Sequence, residues 1–412
     1  MMAVYPNQSW MASCSARTKL TPMQFCFPGS HDSGAYQTPD FSIVATNQAM
    51  STSMERFVPG FQAIATRWTL SQPGATIYDQ LMNGVRYLDL RVSYAMDTKT
   101  KKWTWYLIHT FVVSHLETAL DDVARFLAAH PTELLIIDTS LYYKAGAYCT
   151  QLQDFIVSKL KRWIYPDTHR GKITETVDAI TKQGKQVIIS LGAQPSQRSS
   201  LYFFLRSELL YCYPFRSIDT VAAKQAYIMT AFAAYESTPK NLLFQLTYTL
   251  TEVQVDVIKS IFTHGSLKKL ADTMNPTLIP FVRGLTKQQR SYIGMIEADD
   301  QMNADNVGAS LLVLAERVAA LEPVSRPLKL QAGPLPVKQG ASHAVATGPG
   351  TQSSAWSVEV ASVPQQKSGR SAPAQPRQQR SGCLRSLVCC CLCCGRKPQS
   401  DDEDEAPLVR RH

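Results

Sequence analysis

The sequence contains no run of the about 20 apolar residues that a membrane-crossing helix needs. Its first ten residues, Met1 to Trp10, are polar, and no apolar segment follows them as a secretory signal would require. These absences point to a protein of the reducing cytosol. No Gly-rich phosphate fingerprint follows a first strand, which argues against a dinucleotide-binding sheet. The chain has 412 residues and a formal charge of +9, yet no Lys/Arg run interleaved with aromatics lies in its periodic part. Nucleic acid is therefore not an expected partner, and an anionic membrane surface fits the mild basicity at least as well. Cys-x-x-Cys pairs at zinc-finger separation, a C-terminal prenylation box and internal repeats are missing too.

What is present is a hydrophobic fraction of 45%, ample for a sizeable core. From residue 20 to about 320, strands and helices alternate. Tyr78 to Asn83 reads as a short helix stopped by Gly84, and Val85 to Val92 as a strand. Trp103 to Val113 reads as a second strand. Leu116 to Ala129 has helical spacing, with Pro131 just beyond its end. Leu134 to Asp138 is nearly all apolar, as a buried parallel strand should be. Leu152 to Trp163 reads as a helix. Gln186 to Leu191, Asn241 to Leu246 and Tyr292 to Ile296 are further strand candidates, and Asn303 to Leu321 a closing helix. Alternation on this scale predicts an α/β fold of the TIM type, with an open doubly wound sheet as the rival.

Three polar groups stand at expected strand ends. His31 lies in Phe27-Pro28-Gly29-Ser30-His31-Asp32-Ser33-Gly34, Arg91 closes Tyr87-Leu88-Asp89-Leu90-Arg91, and His109 ends Tyr106-Leu107-Ile108-His109. Alternate residues of a strand share a face, so Asp89 and Arg91 point the same way. Taken singly, each has a bland reading: a turn for His31, a buried ion pair for Asp89 and Arg91, a core histidine for His109. Together, two imidazoles and a fixed cation are the minimal equipment for cleaving a phosphodiester without a metal.

The combination resembles the X domain of the phosphatidylinositol-specific phospholipase C superfamily. The matching residues are Pro28-Gly29-Ser30-His31-Asp32-Ser33, Tyr87-Leu88-Asp89-Leu90-Arg91, Leu107-Ile108-His109 and Pro131-Thr132-Glu133-Leu134-Leu135-Ile136-Ile137-Asp138. Within the superfamily it looks like the bacterial enzymes and the X-domain-only proteins, because Asp32 stands where the large calcium-dependent enzymes carry Asn and Arg91 where they carry an acidic calcium ligand. The resemblance implies that no cofactor or metal is needed. It makes His31 the general base on the inositol 2-hydroxyl and His109 the general acid toward the diacylglycerol oxygen. Arg91 stabilises the transition state, Asp32 supports the acid and Asp89 holds Arg91. An acid on the last strand orients His31: Glu297 aligns best in Ile296-Glu297-Ala298-Asp299, with Asp299 on the same face as the alternative. The family's Lys after the fourth strand is replaced by Thr139-Ser140-Leu141, which leaves Asp138 as the nearest group for head-group binding. The aromatic segment 200–217 reads either as core or as a rim loop on lipid.

From Glu322 to about Gly382, Pro, Gly, Ser, Gln and Ala dominate, as in a disordered linker. Six of the ten cysteines then crowd together: Cys383, Cys389, Cys390, Cys391, Cys393 and Cys394, beside Arg385, Arg396 and Lys397. A metal site or a disulfide knot suits this spacing and compartment poorly, whereas multiple S-palmitoylation beside basic residues suits it well. Ser400 before the run Asp401 to Glu405 is a candidate for an acid-directed kinase, within a tail of a kind read by sorting machinery. The expected organisation is a catalytic barrel over 1–321, a linker over 322–382 and an anchoring tail over 383–412. The expected location is the cytoplasmic face of Golgi, endosomal or plasma membranes. Expected partners are a phospholipid membrane, an inositol phospholipid and a palmitoyltransferase. The rival reading is a catalytically silent scaffold on phosphoinositides; a variant of the first substitutes a GPI anchor or a lysophospholipid as substrate.

Overall fold

The apolar run at 134–137 and its counterparts form the staves of one curled sheet. The computed structural model describes residues 7–43, 60–142, 145–168, 172–193, 195–238, 241–251 and 265–321. Its strands are β1 (Phe27–Ser30), β2 (Tyr87–Met96), β3 (Trp103–His109), β4 (Phe111–His115), β5 (Leu135–Leu141), β6 (Val187–Gly192), β7 (Phe204–Leu205), β8 (Leu210–Tyr211), β9 (Leu243–Thr247) and β10 (Ile293–Ala298). Eight of them run parallel in the order β7-β6-β5-β2-β1-β10-β9-β8. This is the TIM-type arrangement expected, curled into a barrel left open between β7 and β8. Only the helix Arg206–Leu209 joins those two strands, far short of the dozen or so residues a parallel crossover needs.

Alternation along β2 sorts its side chains. Leu88, Leu90 and Val92 join Leu135, Ile137 and the Leu116, Leu120, Val123 and Phe126 face of the helix Leu116–Ala129 in one apolar cluster. Tyr87, Asp89 and Arg91 take the opposite face, toward the barrel interior. At the N-terminal end of β2, Arg86 is fully buried on Glu133 (Nε to Oε2, 2.8 Å) and donates to the carbonyls of Leu81 and Val85. The buried ion pair closing a barrel end is thus Arg86–Glu133.

Two expectations are corrected here. Residues 103–113 are not one strand: Thr110 has φ +63° and breaks the run into β3 and β4. Moreover β3 is antiparallel to β2, so His109 reaches the site from a hairpin beside the barrel and not from a βα unit.

In β10, Gly294 lies against β9 so closely that an added Cβ would come within 2.8 Å of the Leu243 Cα. The obstruction is backbone, which no rotamer change relieves. Gly294→Ala is therefore expected to destabilise the fold by about 1–3 kcal/mol, measured by urea denaturation.

Candidate active site

The motif after β1 is stitched to β2 by its serines. Ser33 N donates to the Asp89 carbonyl (2.9 Å), Asp89 N donates to Ser33 Oγ (2.9 Å), and the Ser30 and Ser33 hydroxyls are 2.6 Å apart. Asp32 takes a left-handed conformation, φ +46°, and its N–H donates to Asp89 Oδ2. That turn brings His31 and Asp32 over the C-terminal end of β2, where Arg91 stands.

His31 Nδ1 lies 2.9 Å from Asp299 Oδ1. A carboxylate only accepts, so Nδ1 carries a proton; in the neutral ring Nε2 then presents its lone pair, 3.0 Å from Arg91 Nη2. The acid that orients His31 is thus Asp299. Glu297, the preferred alignment, instead accepts from Thr247 Oγ1 (2.8 Å) on β9 and is fully buried. Burial and then the charge of Asp89 push its pKa up to about 7. Its Oε1 has no hydrogen-bond partner among the described residues.

Burial alone would depress the His31 pKa. Asp32 and Asp299 more than offset it, and the value rises to about 9 although Arg91 opposes the change. The Arg91 guanidinium is shared: Nε lies against Asp32 Oδ1, and Nη2 is 3.3 Å from Asp89 Oδ2. Burial raises the Asp89 pKa less than Arg91 and His31 lower it, so the net direction is down. His109 Nδ1 donates to the Thr69 carbonyl (2.7 Å), with Ser71 Oγ at 3.3 Å. Its Nε2 is 3.4 Å from Asp32 Oδ2, the same oxygen that lies 3.5 Å from His31 Nδ1. One buried carboxylate therefore serves both imidazoles.

His31, Asp32 and Asp89 offer ligand atoms within 4.8 Å of one another, a spacing compatible with a cation. Arg91 touches all three of these residues, so its guanidinium supplies positive charge where an ion would sit.

Asp138, expected to bind a head group, is committed elsewhere. It is fully buried, accepts from Ser190 Oγ (2.6 Å) and Tyr87 OH (3.1 Å), and is ion-paired with Arg206. Burial raises its pKa despite that pairing. Arg206 Nη1 also donates to Ser140 Oγ (3.1 Å), within the Thr139-Ser140-Leu141 segment. An open cleft is lined by His31, Asp89, Arg91, Arg206, Lys224 and Glu297, together with Tyr213, Pro214, Phe215 and Arg216. The aromatic segment is therefore split: Phe203 and Phe204 are core, while Phe215 is exposed.

No family model matches the chain. It is 30% identical over 138 residues to the PI-PLC X domain-containing protein 2 of Mus musculus, covering 33% of this chain and 40% of that one. It is 25% identical over 198 residues to the PI-PLC X domain-containing protein 1 of Homo sapiens, covering 47% of this chain and 59% of the relative. The matches thus span only about half the length of these curated relatives. Among solved structures, the phosphatidylinositol-specific phospholipase C of Listeria monocytogenes superposes with a TM-score of 0.51 over 74% of this chain and 98% of that one, at 17% identity, a likeness of fold. Over part of its length the chain is thus similar in sequence to PI-PLC X domain-containing proteins, and its curled barrel is similar in fold to a bacterial phosphatidylinositol-specific phospholipase C.

Proposed function

We propose that the chain is a phosphodiesterase that cleaves phosphatidylinositol, or a related lipid, to diacylglycerol and a cyclic inositol phosphate without a metal. The observation that carries this reading is Asp32 shared between two imidazoles, with Arg91 held against Asp32, Asp89 and the lone pair of His31. In this mechanism neutral His31 takes the proton of the 2-hydroxyl at Nε2. The hydroxyl oxygen forms a bond to phosphorus as the bond from phosphorus to the glycerol oxygen breaks. His109, as imidazolium, gives its Nε2 proton to that leaving oxygen. Arg91 faces the charge that builds on the phosphoryl oxygens.

The test is release of diacylglycerol and inositol cyclic phosphate from phosphatidylinositol vesicles. Turnover by the wild type is expected to be unchanged by EDTA. Vesicle binding without product would instead favour a silent lipid-binding scaffold.

Cys383, Cys389, Cys390, Cys391, Cys393, Cys394 and Ser400 lie outside the described residues, as do the linker and tail boundaries. We propose that the cysteines carry acyl chains that hold the enzyme on cytoplasmic membrane faces, since several chains plus basic residues give stable anchoring where one chain does not. Among the described residues no helix is long and apolar enough to cross a membrane. Hydroxylamine-sensitive acyl labelling, lost when the six cysteines become serine, is the expected result. Labelling that persists would place the lipid elsewhere.

A further inference from the structure

The segment between the helices Phe61–Thr69 and Ile77–Met82 has no regular structure, yet it contacts both histidines of the site. Thr69 and Ser71 do so at His109 Nδ1. Gln72 does so through the backbone of His31. Its side chain is fully buried, and both N–H groups and the oxygen of its amide are engaged. Nε2 donates to the carbonyls of His31 (2.8 Å) and Ala298 (3.0 Å), and Oε1 accepts from Gln301 N (2.9 Å). An inverted amide would set its oxygen against two carbonyls and its hydrogens against an N–H, so the surroundings select one orientation.

Those contacts fall on the two turns that build the site. β1 ends at Ser30 and β10 at Ala298, and each is followed by an aspartate in the left-handed region, Asp32 at φ +46° and Asp300 at φ +45°. That conformation is unfavourable for a residue with a Cβ and persists where the surroundings hold it. The first turn brings Asp32 to both imidazoles, and the second carries Asp299 to His31 Nδ1. Gln72 braces the first at the peptide between His31 and Asp32. It braces the second at the Ala298 carbonyl, just before Asp299, and at the Gln301 N–H, just beyond Asp300. Asp300 N adds a bond to the Ser71 carbonyl (2.7 Å). The segment is itself anchored, since Gln72 N donates to the Ala35 carbonyl and Gly74 N to the Tyr36 carbonyl, each at 3.0 Å.

We propose that Gln72 is a positioning residue: its amide locks the turns after β1 and β10 to one another and so fixes Asp299 and Asp32 against the His31 ring. This rests on the phosphodiesterase reading only for the role of His31 in proton transfer. His31 and Asp299 are 268 residues apart in the chain. His31 N donates to the Ala298 carbonyl (3.1 Å), and Gln72 ties the same two strand ends a second time from outside both strands. A misplacement of about 1 Å at a reacting group can cost about 10²-fold in rate, so a brace on both turns has a large effect without touching substrate. The charged groups facing the ring are Asp32 and Asp299, which raise its pKa, and Arg91, which lowers it; His109 faces it across Asp32.

The test is an NMR titration of the histidine rings in the full chain, with the His31 signals identified by their loss in His31→Ala. The wild-type ring should titrate at about 9. Gln72→Met keeps the bulk and removes the amide. It is expected to lower the His31 pKa by about one unit or more, because the two carboxylates lose their fixed place beside the ring. In a cleavage assay kcat should fall by about 10²-fold with KM nearly unchanged. Gln186 is the matched control: its Nε2 bridges the carbonyls of His130 (2.7 Å) and Glu133 (3.2 Å) at the other end of the barrel. Gln186→Met removes a comparable buried amide and should leave the His31 pKa in place. If Gln72→Met does not fold, Gln72→Asn carries the same expectation, since its amide is one methylene too short to reach both turns. An unchanged His31 pKa in a folded Gln72 variant, or an equal shift in Gln186→Met, would overturn the proposal. The titration needs no substrate, so the brace can stand if phosphatidylinositol cleavage fails, and cleavage can stand if the brace fails.

Discussion

His31→Ala is expected to lower turnover of phosphatidylinositol by about 10²–10⁴-fold, and His109→Ala by a similar factor, the range for removing one proton-transfer group. Both rings are part-buried at the mouth of the barrel, so circular dichroism and thermal melts of the variants should stay close to wild type. Retention of activity in either variant would remove the mechanism. The pH profile carries a second test. His31 must be neutral to accept a proton, and Asp32 and Asp299 hold its pKa up to about 9. The neutral fraction therefore grows as pH rises, while the mechanism also needs His109 protonated, so kcat/KM of the wild type should follow a bell with the His31 titration as one limb. Removing the charge of Asp299 takes away one of the two groups that raise this pKa. Asp299→Asn is thus expected to move that limb to lower pH while reducing the maximum, because the Nδ1–H tautomer loses its acceptor. Glu297→Gln should leave the limb nearly in place, since Glu297 bonds to Thr247 and not to His31. A limb that shifts with Glu297→Gln and not with Asp299→Asn would reverse the assignment.

That contrast shows where the sequence was readable. Alternation along β2 placed Asp89 and Arg91 inward, and the apolar run of β5 and the helix Leu116–Ala129 were evident from spacing alone. Alternation failed at the end of β10 for a specific reason. The strand ends at Ala298, and the chain turns through Asp300 at φ +45°, so Asp299 is no longer bound by the strand's two-residue period. Period-two reasoning puts Glu297 and Asp299 on one face, and the turn decides which of them reaches His31. The structure brings His109 to Asp32, as the expected cluster requires, but its hairpin was not legible, because Thr110 gives no sign in sequence of its positive φ. Asp138, expected as the nearest group for head-group binding, has its oxygens taken by Tyr87, Ser190 and Arg206. Arg206 lies on a four-residue helix with no periodicity to read. Lys224 did leave a trace, as the one charged residue in an otherwise apolar stripe, though the stripe becomes meaningful only once its helix is known.

Arg91→Ala is expected to abolish measurable turnover and also to destabilise the fold, a combination not expected for either histidine variant. The arginine neutralises two carboxylates, Asp32 and Asp89, that are almost fully buried. Removing one partner of a buried pair costs about 3–5 kcal/mol, because the remaining charge has neither water nor counterion. Here the guanidinium is 22% exposed, so solvent can reach part of the gap and about 2–4 kcal/mol is the fitting range. Arg91→Lys should recover much of the stability and little of the activity. An ammonium keeps the charge, yet it cannot contact Asp32, Asp89 and His31 Nε2 simultaneously with a planar fork. The alanine variant also tests what Arg91 replaces. With the guanidinium gone, His31, Asp32 and Asp89 keep ligand atoms within 4.8 Å of one another around an emptied position. Millimolar calcium should therefore raise the melting temperature of Arg91→Ala while leaving the wild type unmoved, by preferential binding to the folded state. An Arg91→Ala protein as stable as wild type, or a wild type equally stabilised by calcium, would show that the guanidinium does not occupy the cation position of this site.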